Sequence, residues 1–147
     1  MPFSELKSPV TLDIPADPAS LFMVRALVGK ISEKLGFNPE ERNKLVLAVD
    51  EACTNVIRYA YGNSSEGRIV LTFLLKRDQL EIRIRDFGKA ADPATFQPRK
   101  LDEVRPGGLG IHFIRSAVDL LQYETPPDGG TLLRMIKFRS GQEASQS

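Results

Sequence analysis

The sequence has 147 residues with one cysteine, one histidine and no tryptophan. The single cysteine, Cys53, excludes an internal disulfide, and its place in an apolar helical pattern is typical of a small buried hydrophobe, so a reducing cytoplasm is expected. A charge imbalance is also missing, because 20 Lys and Arg against 19 Asp and Glu give a net charge of +1. Such a chain has no overall field that would bind nucleic acid or an anionic membrane, and neither is expected as a direct partner.

Long hydrophobic runs are absent as well. The longest apolar stretch, Ile69 to Leu75, includes Thr72 and is far shorter than the roughly 20 residues that a membrane-spanning helix needs. The first residues lack the basic and apolar segments of an export signal. A hydrophobic fraction of 41% is enough for one core of ordinary size, so the sequence predicts a soluble cytoplasmic protein with a single domain.

Hydrophobic periodicity predicts the order strand, helix, helix, strand, strand, loop, helix, strand, strand. The second helix has a clear start signal, since Asn38 and Pro39 followed by Glu41 form the pattern of a capping box. The apolar segments 69–75 and 80–84, joined by a short polar connection, predict an antiparallel hairpin. The simplest packing for this order is an α/β two-layer sandwich with the helices on one face of a mixed sheet.

Two segments lack any periodic pattern. From Phe87 to Gly107 the chain carries several prolines and mixed charges, which predicts a long loop of the kind that is usually functional. The polar residues 140–147 are predicted to be a disordered tail, which leaves residues 1–139 as the domain.

Two polar side chains are predicted to lie together on the second helix. Glu51 and Asn55 are four residues apart, so they lie on one face and about one turn apart. A carboxylate beside a carboxamide gives a proton acceptor next to an oxygen ligand of the kind that Mg²⁺ takes. An ordinary polar pair on a solvated face has the same spacing and is the commoner interpretation for an arbitrary helix.

An acidic residue ends the buried face of the strand that follows the hairpin turn. Alternation puts Asp86 on the same face as Leu80, Ile82 and Ile84. A buried carboxylate is costly unless it is hydrogen-bonded, and the exocyclic amino group of a purine would supply a donor. Gly88 has no side chain, so a base could approach the backbone there. A simple Asp-x-Gly turn at a strand end fits this pattern equally well.

A glycine-rich segment, Pro106-Gly107-Gly108-Leu109-Gly110, directly precedes the third predicted helix. Free backbone amides and the positive end of the helix dipole favour phosphate at such a place, although a hinge or a simple cap is the alternative. Other nucleotide motifs do not fit. Gly29-Lys30 and Gly88-Lys89 are not followed by Ser or Thr as in a Walker A loop, and the glycines do not complete a dinucleotide fingerprint.

Together these three elements resemble the N, G1 and G2 boxes of the ATPase superfamily that includes gyrase, heat-shock chaperones and histidine kinases. Within it, Ala48-Val49-Asp50-Glu51-Ala52-Cys53-Thr54-Asn55 and Gly108-Leu109-Gly110-Ile111 are most similar to the bacterial anti-sigma-factor serine/threonine kinases. The resemblance covers about Asp13 to Lys137. It implies a Bergerat-type ATP-binding fold, with ATP and Mg²⁺ as cofactors.

The resemblance implies individual roles. Glu51 would be the general base, Asn55 a Mg²⁺ ligand, and Asp86 the adenine contact beside Gly88. The other implied ATP-site positions are Gly108, Leu109 and Gly110 in the phosphate loop, Thr131 near the adenine, and Arg105 near the phosphates, where the offset from the glycines differs by one residue. The loop 89–107 would be the ATP lid, and Ala90 stands where the family often has a second glycine.

The implied activity is transfer of the γ-phosphate of ATP to a serine or threonine of a small antagonist protein, with a sigma factor as the second partner. A homodimer is compatible with the resemblance. Arg25 matches an arginine at the partner surface of related kinases, and a solvated helix charge is the other interpretation. His112 is the only histidine, so no separate phosphoacceptor histidine exists. The alternatives are a non-catalytic ATP-dependent binding module and an ATP hydrolase of the same superfamily.

Overall fold

The computed structural model of this chain describes residues 5–88 and 108–139, with side chains described from residue 111 onward in the second part. The predicted lid 89–107, which includes Arg105, and the predicted tail 140–147 lie outside the described residues.

The described residues form five strands and three α-helices in the predicted order. They are β1 (Val10–Pro15), α1 (Leu21–Lys34), α2 (Pro39–Asn55), β2 (Arg68–Leu75), β3 (Gln79–Asp86), α3 (Gly108–Ala117), β4 (Leu120–Glu124) and β5 (Thr131–Phe138). A 3₁₀ turn, Pro18–Ser20, leads into α1, and a π-helical turn, Val56–Ala60, continues α2. None of the described helices is long and apolar enough to cross a membrane.

The strands form one sheet in the order β1-β2-β3-β5-β4. All four described pairings are antiparallel, so the prediction of a mixed sheet is corrected in this respect. The pair α1 and α2 separates β1 from β2, and two successive helices return the chain to the end at which β1 finished. β3 and β4 run in the same direction, but β5 lies between them and pairs antiparallel with both.

The core lies between one face of the sheet and the helices, as predicted for two layers. Strand residues alternate, so that one face of each strand is apolar and buried. In β2 this face consists of Ile69, Leu71, Phe73 and Leu75. The helices contribute the buried residues Val24, Val28, Leu45, Val49 and Ile114 to the same cluster. α2 packs against both α1 and α3 and is therefore the central helix of the layer.

The helix α2 begins as predicted. The Asn38 side chain accepts a hydrogen bond from the Glu41 amide at 2.8 Å, and the Glu41 carboxylate accepts one from the Asn38 amide at 3.0 Å. At the other end, the π-helical turn closes with a hydrogen bond from the Tyr61 amide to the Val56 carbonyl at 3.2 Å. The next residue, Gly62, has a φ of 56°, which ends the helical segment.

A tight turn before β5 brings Thr131 beside Asp86 on the neighbouring strand. Gly130 has a φ of 74°, and a Cβ atom added there would lie 2.0 Å from the main-chain oxygen of Asp86. Gly129 also has a positive φ, 100°, but a Cβ atom there would meet nothing within 4 Å. Both positions therefore require a left-handed backbone, and Gly130 alone also requires the space.

We expect Gly130→Ala to destabilise the fold more than Gly129→Ala. Alanine at Gly129 should cost on the order of 1 kcal/mol, from the left-handed backbone alone. Alanine at Gly130 adds an overlap with a backbone oxygen that cannot rotate away. The free energy of unfolding, measured by denaturant titration of both variants, checks this difference. Equal losses in the two variants would show that the close approach of the turn to β3 is not tight.

Candidate functional site

Asp86 lies at the end of the central strand of the sheet. Its neighbours across the two pairings are Ile69 on β2 and Thr131 on β5. Only 2% of the residue is exposed, and it shares the buried face of β3 with Leu80 and Ile84. The predicted burial of this acid is confirmed.

The carboxylate of Asp86 is bonded to backbone amides. Its Oδ1 atom accepts a hydrogen bond from the Gly88 amide at 3.1 Å, and the Thr131 amide also donates to the carboxylate. Burial raises the pKa of Asp86, and these amides together with the nearby charge of Arg85 offset that effect only in part. In the described residues, no cationic side chain is bonded to this carboxylate, so its ionised form is under-stabilised.

A second buried acid on β3, Glu81, shows the opposite behaviour. It lies on the other face of the strand, and its Oε2 atom accepts hydrogen bonds from Arg83 Nε at 2.5 Å and Arg134 Nε at 3.2 Å. Burial alone would raise the pKa of Glu81, but the two guanidinium groups outweigh burial and lower it. The same strand therefore carries two buried acids. The negative charge of Glu81 is balanced by two arginines, and that of Asp86 is not balanced by a cationic side chain among the described residues.

Gly88 brings α2 and its π-helical extension against the end of β3. A Cβ atom added to Gly88 would lie 2.3 Å from the carbonyl oxygen of Ala60 and 3.0 Å from the ring of Tyr61. Any side chain at this position would therefore push the helix end away from the strand end. The absence of a side chain, which the sequence analysis linked to an approaching base, is required here for the packing of the protein itself.

The helix α2, whose π-helical extension contacts Gly88, carries Glu51 and Asn55 in its last turns. Both residues are half-buried, and Asn55 is the last residue of α2 before the π-helical turn. The Asn55 Oδ1 atom is buried and accepts no hydrogen bond from the described residues. The Glu51 side chain likewise makes no hydrogen bond or ion pair within the described part of the chain.

These groups fit a magnesium ion that is held mainly by a nucleotide. No cluster of three or more His, Cys, Asp or Glu side chains that could hold a metal occurs in residues 5–88 and 108–139. Mg²⁺ typically takes only one or two protein ligands and completes its shell with phosphate and water. The unsatisfied oxygen of Asn55 is a suitable single ligand of that kind.

The third predicted element of the site is the start of α3. The helix begins at Gly108, so Gly108, Leu109 and Gly110 form its first turn, and α3 packs against α2. His112 is exposed on this helix. α3 and the end of β3 therefore both contact the helical segment formed by α2 and its π-helical turn.

Two residues at this site, Tyr61 and Arg85, were not predicted from the sequence. The hydroxyl of Tyr61 is hydrogen-bonded to the backbone of Arg68 on β2 and of Phe87, the residue after Asp86. Arg85 donates to the main-chain oxygens of Asp86 and Gly129 at 2.7 and 2.8 Å. The sequence pattern identifies Arg85 only as a polar residue on the outer face of the strand, and this pattern does not indicate which groups the side chain binds.

Arg25, the predicted partner contact, is not an isolated surface charge. Its Nη1 atom lies 2.7 Å from Oδ1 of Asp50, the residue that precedes Glu51, and 45% of the arginine side chain remains exposed. The arginine therefore lies at the surface and joins α1 to α2.

The sequence profile of the histidine kinase-like ATPase domain matches residues 14–137. The chain belongs to this family.

The chain is similar to serine-protein kinase RsbW of Listeria monocytogenes serotype 4a (strain HCC23). The two sequences are 32% identical over 146 residues, which cover 94% of this chain and 92% of the relative. Serine-protein kinase RsbW of Bacillus velezensis is 26% identical over 141 residues, covering 90% and 87% of the two chains. The resemblance to anti-sigma-factor serine/threonine kinases is confirmed by these relatives.

Solved structures agree on the fold of the ATPase domain. The RsbU and RsbW domains of Rv1364c from Mycobacterium tuberculosis match with a TM-score of 0.62 at 16% identity, over 90% of this chain and 33% of that one. The histidine kinase domain of a blue-light-activated kinase from Erythrobacter litoralis matches with a TM-score of 0.55 at 20% identity, over 89% of this chain and 64% of that one.

The raised pKa of Asp86 predicts that Asp86→Asn stabilises the ligand-free protein at neutral pH. The folded-state pKa lies above the ordinary value of 3.8, so as pH rises the unfolded chain loses this proton first and the fold loses stability. Asparagine keeps an oxygen for the Gly88 amide but carries no charge. Denaturant titration should show a gain in the free energy of unfolding at pH 7 that shrinks below about pH 4.

Glu81→Gln is the matched control on the same strand. Its pKa is lowered in the fold, so ionised Glu81 contributes stability that is present at neutral pH and lost as pH falls. The glutamine variant should therefore be less stable than the parent chain at pH 7. A loss of stability in both variants would contradict the assignment of Asp86 as an under-stabilised carboxylate.

Proposed function

We propose that this chain binds Mg-ATP and transfers its γ-phosphate to a serine or threonine of a partner protein. The observation that carries the proposal is the buried, under-stabilised carboxylate of Asp86 at the point where β3 meets the end of α2. Membership of the ATPase domain family and the similarity to serine-protein kinases support the same activity.

Adenine carries a hydrogen-bond donor that suits the Asp86 carboxylate. The exocyclic amino group at position 6 donates hydrogen bonds, and a carboxylate only accepts them when it is ionised. A charge-assisted hydrogen bond of this kind is stronger than one between neutral groups. Binding of an adenine nucleotide would thus stabilise the ionised form that burial disfavours. Thr131, which pairs with Asp86 across the sheet, supplies a hydroxyl at the same end of the site.

The helix α2 supplies the groups for the phosphate end. Asn55 would hold the Mg²⁺ ion through its unsatisfied oxygen, and the ion would neutralise charge on the phosphates when bound. The first turn of α3, with Gly108, Leu109 and Gly110, presents backbone amides suited to phosphate. Arg105 stays a prediction for the phosphates.

Glu51 is proposed as the general base. Its carboxylate has no partner in the described residues and lies one turn from Asn55, so it can accept a proton from a hydroxyl near the metal-bound phosphate. As the substrate hydroxyl loses its proton to Glu51, its oxygen bonds to the γ-phosphorus, and the bond from that phosphorus to the β-phosphate oxygen breaks to release ADP.

The proposed partners follow from the kinases that the chain resembles. A small antagonist protein would be the substrate and a sigma factor the second partner, with Arg25 at their surface and the cytoplasm as the location. The paired but half-exposed state of Arg25 suits a surface contact. A module that binds ATP without transfer is the second candidate, and the Glu51 carboxylate, which has no partner among the described residues, favours transfer over it.

Asp86→Asn should weaken ATP binding while the fold persists. The substitution removes the charge from a hydrogen bond worth about 1.5–3 kcal/mol, which corresponds to a loss of roughly ten- to a hundredfold in affinity. Calorimetric titration of both proteins with Mg-ATP measures this loss. An unchanged affinity would remove Asp86 from the nucleotide site, whatever the variant does to stability.

The variants Glu51→Gln and Asn55→Ala should separate chemistry from binding. Glu51→Gln keeps size and polarity but loses the base, so it should bind Mg-ATP nearly normally and transfer phosphate about 10²–10⁴-fold more slowly. Asn55→Ala should lose the magnesium-dependent part of binding. Nucleotide affinity and label transfer from γ-labelled ATP to an antagonist from the same genome are the two measurements.

Glu40→Gln is the control for these variants, because Glu40 is an exposed acid in the first turn of α2 whose one ion pair within the described residues is with Lys44. It should bind and transfer as the parent chain does. Full transfer by Glu51→Gln would remove Glu51 from the mechanism. Tight ATP binding by the parent chain without any transfer would favour the binding module, and release of free phosphate would favour a hydrolase.

A further inference from the structure

Tyr61 joins three parts of the chain at the edge of the proposed adenine site. It follows directly on the π-helical turn that extends α2. Its hydroxyl donates a hydrogen bond to the main-chain oxygen of Arg68 at 2.6 Å and accepts one from the Phe87 amide at 2.7 Å. One phenol therefore connects the end of the helix to the start of β2 and to the residue that follows Asp86.

The hydrogen bond to Phe87 acts on the peptide group that carries Asp86. The N–H of the Asp86–Phe87 peptide donates to Tyr61, and the C=O of the same peptide accepts from Arg85 Nη1 at 2.7 Å. Both polar ends of this peptide are therefore held by side chains. The next amide, that of Gly88, donates to the Asp86 carboxylate, so the orientation of the carboxylate depends on the orientation of the peptide before it.

The ring of Tyr61 is held as tightly as its hydroxyl. A Cβ atom at Gly67 would lie 2.4 Å from Cε1 of the ring, and one at Gly88 would lie 3.0 Å from Cδ1. The ring therefore lies between two glycines that admit no side chain. Such packing fixes the hydroxyl in one place and makes it a rigid support for the backbone at Phe87.

We propose that Tyr61 is a positioning residue for base recognition. Its hydroxyl holds the Asp86–Phe87 peptide so that the Asp86 carboxylate is oriented towards the amino group of adenine. This inference rests on the proposed binding of ATP. Tyr61 would touch neither the nucleotide nor the metal. It would set the preference for adenine over bases that have a carbonyl group in place of the amino group at position 6.

The test compares ATP with ITP, whose base has a carbonyl oxygen in place of the amino group. Tyr61→Phe keeps the ring and removes both hydrogen bonds. It should lower the ratio of ATP affinity to ITP affinity about three- to tenfold, the effect of one ordinary hydrogen bond on orientation. A general loss of stability would weaken both nucleotides alike and leave this ratio unchanged.

Tyr59→Phe is the matched control, since Tyr59 lies in the same π-helical turn and its ring contacts only Arg58 at 5.9 Å among the described contacts. Its ratio should equal that of the parent chain. In an Asp86→Asn background, Tyr61→Phe should have no further effect on the ratio, because the group that it positions is already changed. Gly67→Ala, which displaces the ring, should reproduce the loss of selectivity by an independent route.

The outcomes separate the two proposals. A parent chain that binds neither nucleotide would overturn the proposed function and this inference with it. A parent chain that prefers ATP, together with Tyr61→Phe and Gly67→Ala variants that keep the full preference, would overturn only the role of Tyr61. Equal weakening of ATP and ITP would also overturn it, because that result assigns Tyr61 to the fold alone.

Discussion

The burial of one carboxylate, that of Asp86, determines much of the architecture around the site. An ionised acid under a helical layer costs folding free energy unless donors reach it. The fold supplies two backbone amides, from Gly88 and Thr131, and no cationic side chain within the described residues. By contrast, Glu81 on the same strand receives two arginines. A protein that tolerates an unneutralised acid at the end of its central strand retains a strong acceptor for a ligand.

The surroundings of this acid depend on the absence of side chains as much as on their presence. A Cβ atom at Gly88 would overlap a helix carbonyl, and one at Gly130 would overlap the main-chain oxygen of Asp86 itself. Both contacts are between backbones, which have no rotamers with which to adapt. Arg85 and Tyr61 then hold the two sides of the peptide after Asp86. The site is thus rigid at the proposed base-binding end because neighbouring backbones are in direct contact.

Local patterns in the sequence were sufficient for the elements and their two-layer packing, but not for the order and direction of the strands in the sheet. The capping box at Asn38 and the alternation that buries Asp86 are contacts or periodicities within a few residues, and both are confirmed. The purely antiparallel sheet was not predicted, because the position of β5 between β3 and β4 depends on pairing between strands that are far apart in the sequence. The roles of Tyr61 and Arg85 were missed for the same reason, since their partners lie up to 44 positions away in the chain.

One continuous helical segment connects the proposed partner surface with the proposed site. Along α2 and its π-helical turn, Asp50, which is paired with Arg25, is followed by Glu51 and Asn55, and Tyr61 closes the segment. A partly exposed surface ion pair of this kind contributes only about 0–1 kcal/mol, so separating the two side chains would cost the fold little stability. The contacts at the other end of the segment are backbone approaches and hydrogen bonds that leave little freedom. A protein that draws Arg25 away from Asp50 would therefore release this link between α1 and α2, while the end of the helix that supports Asp86 stays held by its own contacts.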